Sequence, residues 1–215
     1  MVTIAAGKAV REGSARKRQQ ILAAARELFL ADGFERTSMD AIAARAEVSK
    51  RTVYDYYGDK RALLLEVVRH AVAALGLSVD AAIEANLSEV DELEPALIGF
   101  ARAITSSAMG SADYSALMRL LTKESSHLPE LQDQNWAGLE PEEAVANKFV
   151  ELDRRGLLAA PNARLAADHF VALTLSPSYY SIGRHDVLAD DDSERAIADG
   201  VSAFLRAYGG PALAS

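Results

Sequence analysis

From Ser14 onward the apolar residues of this chain recur at spacings of three and four, and no sustained two-residue alternation follows anywhere. That pattern decides the class. A 3.6-residue period gathers such side chains on one helix face, whereas a half-buried strand needs a period of two. The fold is therefore expected to be all-α. Ile21, Leu22, Ala25, Leu28 and Phe29 mark the first helix, and Gly33 ends it. A second, short helix starts at Thr37 or Ser38 with Ile42, Ala43 and Ala46 inward. Ser49 then caps a third, carrying Val53, Tyr54 and Tyr57, which Gly58 stops. Asp59 caps a long fourth helix with Leu63, Leu64, Val67, Val68, Ala71, Val72 and Leu75 on its apolar side. Further helices are expected over Asp91–Ala108, Asp113–Ser125, Pro129–Arg155 with a break near Gly138 and Pro141, Asn162–Ser181 and Asp192–Tyr208. Pro177 should kink or end the fourth of these near Ser176. Asp190, Asp191 and Asp192 read as a solvated loop and helix start.

Charge divides this helical text. The net charge is −8, yet residues 1–70 hold 13 basic and 9 acidic residues, a net +4, leaving −12 for residues 71–215. Such asymmetry suits a polyanion-binding amino-terminal part on an acidic body. The expected organisation is a flexible arm over residues 1–14, a polyanion-binding domain over 15–60 and a second, acidic domain over 61–215. With no Cys among 215 residues, disulfides, thiolate zinc sites and cysteine nucleophiles are excluded. No apolar run approaches the roughly 20 residues of a membrane span, and Met1–Ser14 lacks the apolar centre of a signal peptide, so a cytoplasmic protein with no membrane partner is expected.

The informative stretch is TSMDAIAARAEVSKRTVYDYYGDK, Thr37 to Lys60. Two short helices joined by a three- or four-residue turn form a helix-turn-helix when a small residue lets them cross closely, and Ala43 is that residue. Ile42, Val48 and Val53 would hold the crossing, leaving Ser49, Lys50, Arg51, Thr52 and Tyr56 outward. Hydroxyls and Lys suit phosphates, and Arg can donate two bonds to guanine. An ordinary helical hairpin with a polar face has the same spacing.

Residues Arg18 to Leu65 closely resemble the DNA-binding domain of TetR/AcrR-type transcriptional regulators. The likeness lies in ILAAARELFLADGF, then TSMDAIA, then VSKRTVY, then the aromatic pair Tyr56 and Tyr57 with Lys60 at the next helix start. It implies that Thr37 or Ser38, Tyr54, Tyr56 and Lys60 grip phosphates, with Ser49 at the head of the recognition segment. Lys50, Arg51 and Thr52 would face the major groove of double-stranded operator DNA, Arg16, Lys17 and Arg18 would add phosphate contacts from the arm, and Tyr57 would be core. Two positions depart from the family pattern. Glu47 stands where Gly is common in the turn, and Arg51 where Gly or Ala is common.

Further along, HLPELQ, RRGLL and ARLAADHFVALTL resemble the ligand-binding domain of an AefR-like subgroup. The implied protein is a homodimer, a ligand-responsive repressor released from DNA by a small apolar or amphipathic effector. Its last two helices would pair with those of a second copy, consistent with the stripe Ile197, Val201, Phe204, Leu205 and Tyr208. Phe100, Ile104, Met118, Leu121, Trp136, Phe149, His169 and Phe170 are the candidates for an effector cavity, and equally for plain core. His127 near Glu124, and His169 beside Asp168, read as ordinary histidines, so neither metal nor cofactor is expected. A helical ligand carrier without operator binding is the alternative, with an enzyme behind it. No phosphate-binding glycine loop, nucleophile elbow or paired-histidine motif supports catalysis.

Overall fold

The computed structural model describes residues 3–107, 112–124, 141–175 and 190–211. Among these the chain forms nine α-helices and no strand: α1 (Thr3–Asp32), α2 (Met39–Arg45), α3 (Lys50–Tyr57), α4 (Lys60–Leu87), α5 (Leu93–Ser106), α6 (Ala112–Glu124), α7 (Pro141–Arg154), α8 (Ala163–Thr174) and α9 (Asp190–Tyr208). A single bridge pairs Leu158 with Gly209. The all-α expectation holds.

Two compact units account for the chain. The first comprises Met1–Ala71 and Ala116–Gln134, the second Val72–Ser115 and Asn135–Ser215. This division falls inside α4, past the boundary expected at residue 60. Helix α1 begins at Thr3, within the stretch expected to be an arm, so Arg16, Lys17 and Arg18 are exposed helical residues and do not precede the helix. The Pro177 expectation is met by an end: α8 stops at Thr174. The stretch read as helical over 129–140 and the remainder of 176–181 lie outside the described residues.

In the first unit, Ile21, Ala25 and Phe29 of α1 are buried with Ile42 of α2, Val53 of α3 and Leu63 and Leu64 of α4. The Phe29 ring lies 5.7 Å from that of Phe34 in the following turn. By length and composition α4 is the one described helix that could cross a bilayer. Its leucines and valines at 63, 64, 67 and 68 are buried in the first unit, and those at 75 and 79 in the second.

The second unit is built on aromatic packing. Phe100 of α5, Phe149 of α7, Phe170 of α8 and Phe204 of α9 are fully buried. Phe170 stands edge-on to Phe149 at 5.7 Å and to Phe204 at 5.2 Å, and Tyr208 stacks on Phe204 at 4.9 Å. Edge-to-face and offset contacts at these separations add to the burial term. Arg102 of α5 also holds Glu194 of α9 through two guanidinium bonds, which keeps that carboxyl below the usual carboxylate range.

Helices α8 and α9 approach so closely at Gly200 that a Cβ there would lie 2.2 Å from the Leu173 carbonyl oxygen. The backbone of α8 cannot yield as a flexible side chain could. Gly76 on α4 is the contrasting case, because a Cβ there meets nothing within 4 Å. Gly76→Ala is expected to stabilise the protein by about 0.5–1 kcal/mol through helix propensity. Gly200→Ala should instead lower the melting temperature by prising α8 from α9. Thermal unfolding of the two variants side by side checks this, and equal effects would refute the close approach.

Candidate nucleic-acid interface

The helix-turn-helix is assembled from caps. Ser38 is the N-cap of α2 and accepts from the Ala41 amide at 3.1 Å. Ser49 is the N-cap of α3, accepts from the Thr52 amide at 3.1 Å, and shares a 2.8 Å hydroxyl contact with Thr52. Between them α2 ends with two reversed bonds, Val48 N–H to the Ala43 carbonyl and Glu47 N–H to that of Ala44. This is the arrangement that calls for a left-handed residue just past the cap, normally glycine. Glu47 fills it with φ 55°, the only positive φ of a non-glycine residue among those described. Its departure from the family pattern thus falls where a side chain is strained. Left-handed φ costs a non-glycine residue ~1–2 kcal/mol, and glycine's extra unfolded-state entropy returns ~0.5–1 of it. Glu47→Gly is accordingly expected to raise stability by about 0.5–1 kcal/mol. Urea denaturation checks this, and a loss of stability would contradict it.

On this frame the outward face of α3 carries Ser49, Lys50, Arg51 and Tyr54, all exposed, with Thr52 and Tyr56 partly so. Lys50 Nζ meets both carboxylate oxygens of Asp40, at 2.8 and 3.0 Å, and this ion pair holds its pKa above the ordinary lysine value. Arg51 lies 3.7 Å from Asp55 one turn along. Tyr56 is placed by α1: its hydroxyl is 3.0 Å from Ser14 Oγ, and the Arg18 guanidinium sits 5.2 Å over its ring. Tyr57 is half-buried and donates to the Arg18 carbonyl at 2.9 Å, and burial pushes its phenol pKa up.

Two residues expected on phosphates are engaged inside the unit. Thr37 is buried, and its hydroxyl faces the Gly33 carbonyl at 2.8 Å and that of Leu28 at 3.2 Å, closing the end of α1. Lys60 directs its ammonium at three backbone carbonyls, Phe34 at 2.9 Å, Thr37 at 3.0 Å and Glu35 at 3.3 Å, and lies 4.4 Å over the Phe34 ring. An ammonium has three N–H donors, so this geometry leaves none for a phosphate. The physical reason is positional. Gly33 turns the chain back after α1, exposing carbonyls that no helix satisfies. Arg36 within the turn donates to the Asp32 carbonyl, and the first residue of α4 donates to those of Phe34, Glu35 and Thr37. Lys60→Met, which keeps the stem and removes the donors, is expected to cost about 1.5–3 kcal/mol of stability. It should leave the salt dependence of DNA binding unchanged, and a salt slope shallower by about one unit would show a phosphate contact instead.

The effector candidates are distributed unequally. Phe170 packs on Phe100, Phe149 and Phe204, and Phe149 packs on Phe204, with Ile104 buried in the same cluster. His169 is exposed on the outer side of α8, with Nδ1 2.6 Å from the Tyr208 hydroxyl, and so stands apart from the phenylalanines. Leu121 is half-buried on the part of α6 that belongs to the first unit. Met118 is on α6 but its side chain, like all of Trp136, lies outside the described residues. Among the described residues no His and acidic side chains cluster as a metal site would require. Sequence reading passed over Asp40, since no helix period links positions 40 and 50 when each is on a different helix.

A capped helix-turn-helix with an outward face of hydroxyls, Lys and Arg defines the class of helix-turn-helix DNA-binding proteins. Comparison with known proteins specifies it further. Residues 21–67 match the model for bacterial regulatory proteins of the tetR family, and residues 95–210 match that for the AefR-like transcriptional repressor, C-terminal domain. The chain belongs to the TetR family of transcriptional regulators, with an AefR-like carboxy-terminal domain. It is 29% identical over 177 residues to the HTH-type transcriptional activator FasR of Mycolicibacterium smegmatis, covering 82% of this chain and 77% of that one. A TetR-family regulator structure from Mesorhizobium loti superposes with TM-score 0.83 at 29% identity, over 91% of this chain and 98% of that. The flavonoid-responsive regulator FrrA gives TM-score 0.67 at 30% identity over the same shares.

Proposed function

We propose that the protein works as a homodimer, each copy placing α3 in a major groove of a palindromic operator, and that a small apolar or amphipathic effector releases it, making it a repressor. The observation that carries this is the outward face of α3. Ser49, Lys50, Arg51 and Tyr54 stand exposed on a helix whose other side is anchored by the buried Val53. In this reading Lys50, Arg51 and Thr52 read bases, while Ser38, Ser49, Tyr54 and Tyr56 hold phosphates, with Arg16, Lys17 and Arg18 adding charge from α1. The work is binding rather than catalysis and takes place in the cytoplasm.

The dimer is supported by Leu165 and Leu173, which are 46% and 39% exposed and share one face of α8 with His169. Large apolar side chains left in solvent at helical spacing are what a partner surface would cover. For the effector, support comes from the aromatic interior of the second unit and from the similar regulator FrrA, which is flavonoid-responsive. Release requires that the effector favour a conformation unsuited to DNA, because equal affinity for both would shift nothing.

A mobility shift with duplex DNA flanking the protein's own gene tests the reading. The wild type is expected to give a sequence-dependent shift. Arg51→Ala should lose ~1–3 kcal/mol more affinity for that site than for mixed-sequence duplex, and Leu173→Glu should abolish the shift by placing charge in an apolar interface. A bare ligand carrier or an enzyme would give no sequence-dependent shift at all.

A further inference from the structure

The pairing of Lys50 with Asp40 makes no case as a folding device. Both partners are more than half exposed, and exposed ion pairs contribute little to stability. The α2–α3 crossing is already fixed by Ile42, Ala43 and Val53, all buried. Yet the carboxylate engages the ammonium through both oxygens, at 2.8 and 3.0 Å, on the side of the unit where α3 faces outward. Its effect therefore falls on what Lys50 can do to a polyanion.

We propose that Asp40 is a specificity-determining residue, which restrains Lys50 from binding phosphate indiscriminately and holds it for a base edge. This rests on the reading of α3 as the DNA-recognition helix. A free lysine ammonium seeks any phosphate, and each such contact releases counterions and raises affinity for all sequences alike. Lys50 held by Asp40 faces DNA as a neutral pair. A phosphate that approaches the ammonium also meets the Asp40 carboxylate, whose repulsion offsets the attraction, whereas an uncharged acceptor on a base edge meets no such repulsion. Of the three ammonium donors, one is hydrogen-bonded to Asp40 Oδ2, so an acceptor such as guanine O6 or N7 can be met without breaking the pair. Random sequences thus gain little from Lys50, while a site offering that acceptor gains a directed bond.

The test uses the full chain and two duplexes, one of mixed sequence and one selected by the wild type from a randomised pool, with binding measured across a range of NaCl concentrations. Asp40→Asn keeps the size and the exposed position of the side chain but frees the ammonium. Its affinity for mixed duplex is expected to rise several-fold at low salt, with the logarithmic salt slope steeper by about one unit. Affinity for the selected duplex should rise less, so the ratio between the two falls. In a Lys50→Gln background the same Asp40→Asn change should leave the slope where it was, because Asp40 acts through Lys50. Equal gains on both duplexes, or a gain that persists in the Lys50→Gln background, would overturn the proposal by showing Asp40 to be a bare negative charge. Should the wild type bind neither duplex in a salt-dependent way, the DNA reading itself fails and the proposal with it. A thermal melt of each variant confirms that the comparison is between folded proteins.

Discussion

The amino-terminal unit depends on one cation. Lys60, first residue of α4, ties its ammonium to the carbonyls of Phe34, Glu35 and Thr37, the turn that joins α1 to α2. Those carbonyls have no helical partner, and leaving such groups unsatisfied costs about 1–3 kcal/mol each when buried. Three consequences follow along the chain. Thr37 is held so that its hydroxyl can close α1, Ser38 is left in extended geometry to cap α2, and the crossing of α2 with α3 inherits its starting direction. Lys60 thus supports the turn that leads into α2, while the packing of α2 on α3 rests on Ile42, Ala43 and Val53.

Opposite requirements shape the two units. The first presents cations outward yet pairs them: Lys50 with Asp40, Arg51 with Asp55 and Arg45 with Glu27. Cations paired in this way are drawn weakly to arbitrary polyanions, which leaves the exposed Arg16, Lys17 and Arg18 of α1 as the unit's unspecific positive charge. The second unit draws its order from four phenylalanines and from glycine at the α8–α9 approach. Its ion pairs, such as Arg102 with Glu194, lie at the surface.

Much of this could be read in advance wherever local chemistry decides geometry. Ser49 and Asp59 were legible as caps from a short oxygen before an apolar repeat, and each one caps; at α2 the sequence left Thr37 or Ser38, and Ser38 caps while Thr37 closes α1. Glu47 was legible as a departure from the family's glycine, and its positive φ shows what that position asks of a side chain. Long-range partners were not legible. The roles of Lys60 and Thr37 depend on carbonyls brought near by the turn after Gly33, and Asp40 reaches Lys50 only once two helices cross. Among the effector candidates, period alone could not separate Phe170, buried among aromatic rings, from its neighbour His169, exposed beside Tyr208. An apolar stripe announces that a residue is covered and does not say by what.

The two lysines of the helix-turn-helix do different work: Lys60 serves the fold, and Lys50, in the proposed reading, serves DNA. Amine acetylation read by mass spectrometry, residue by residue, with and without duplex DNA, separates them. Lys50, exposed beside Asp40, should react in the free protein and become protected when duplex is added. Lys60, with its ammonium on three carbonyls, should react slowly in both states. A Lys60 that reacts readily in the free protein and is protected by DNA would contradict the account, because it would be a phosphate contact and the turn after α1 would need another support.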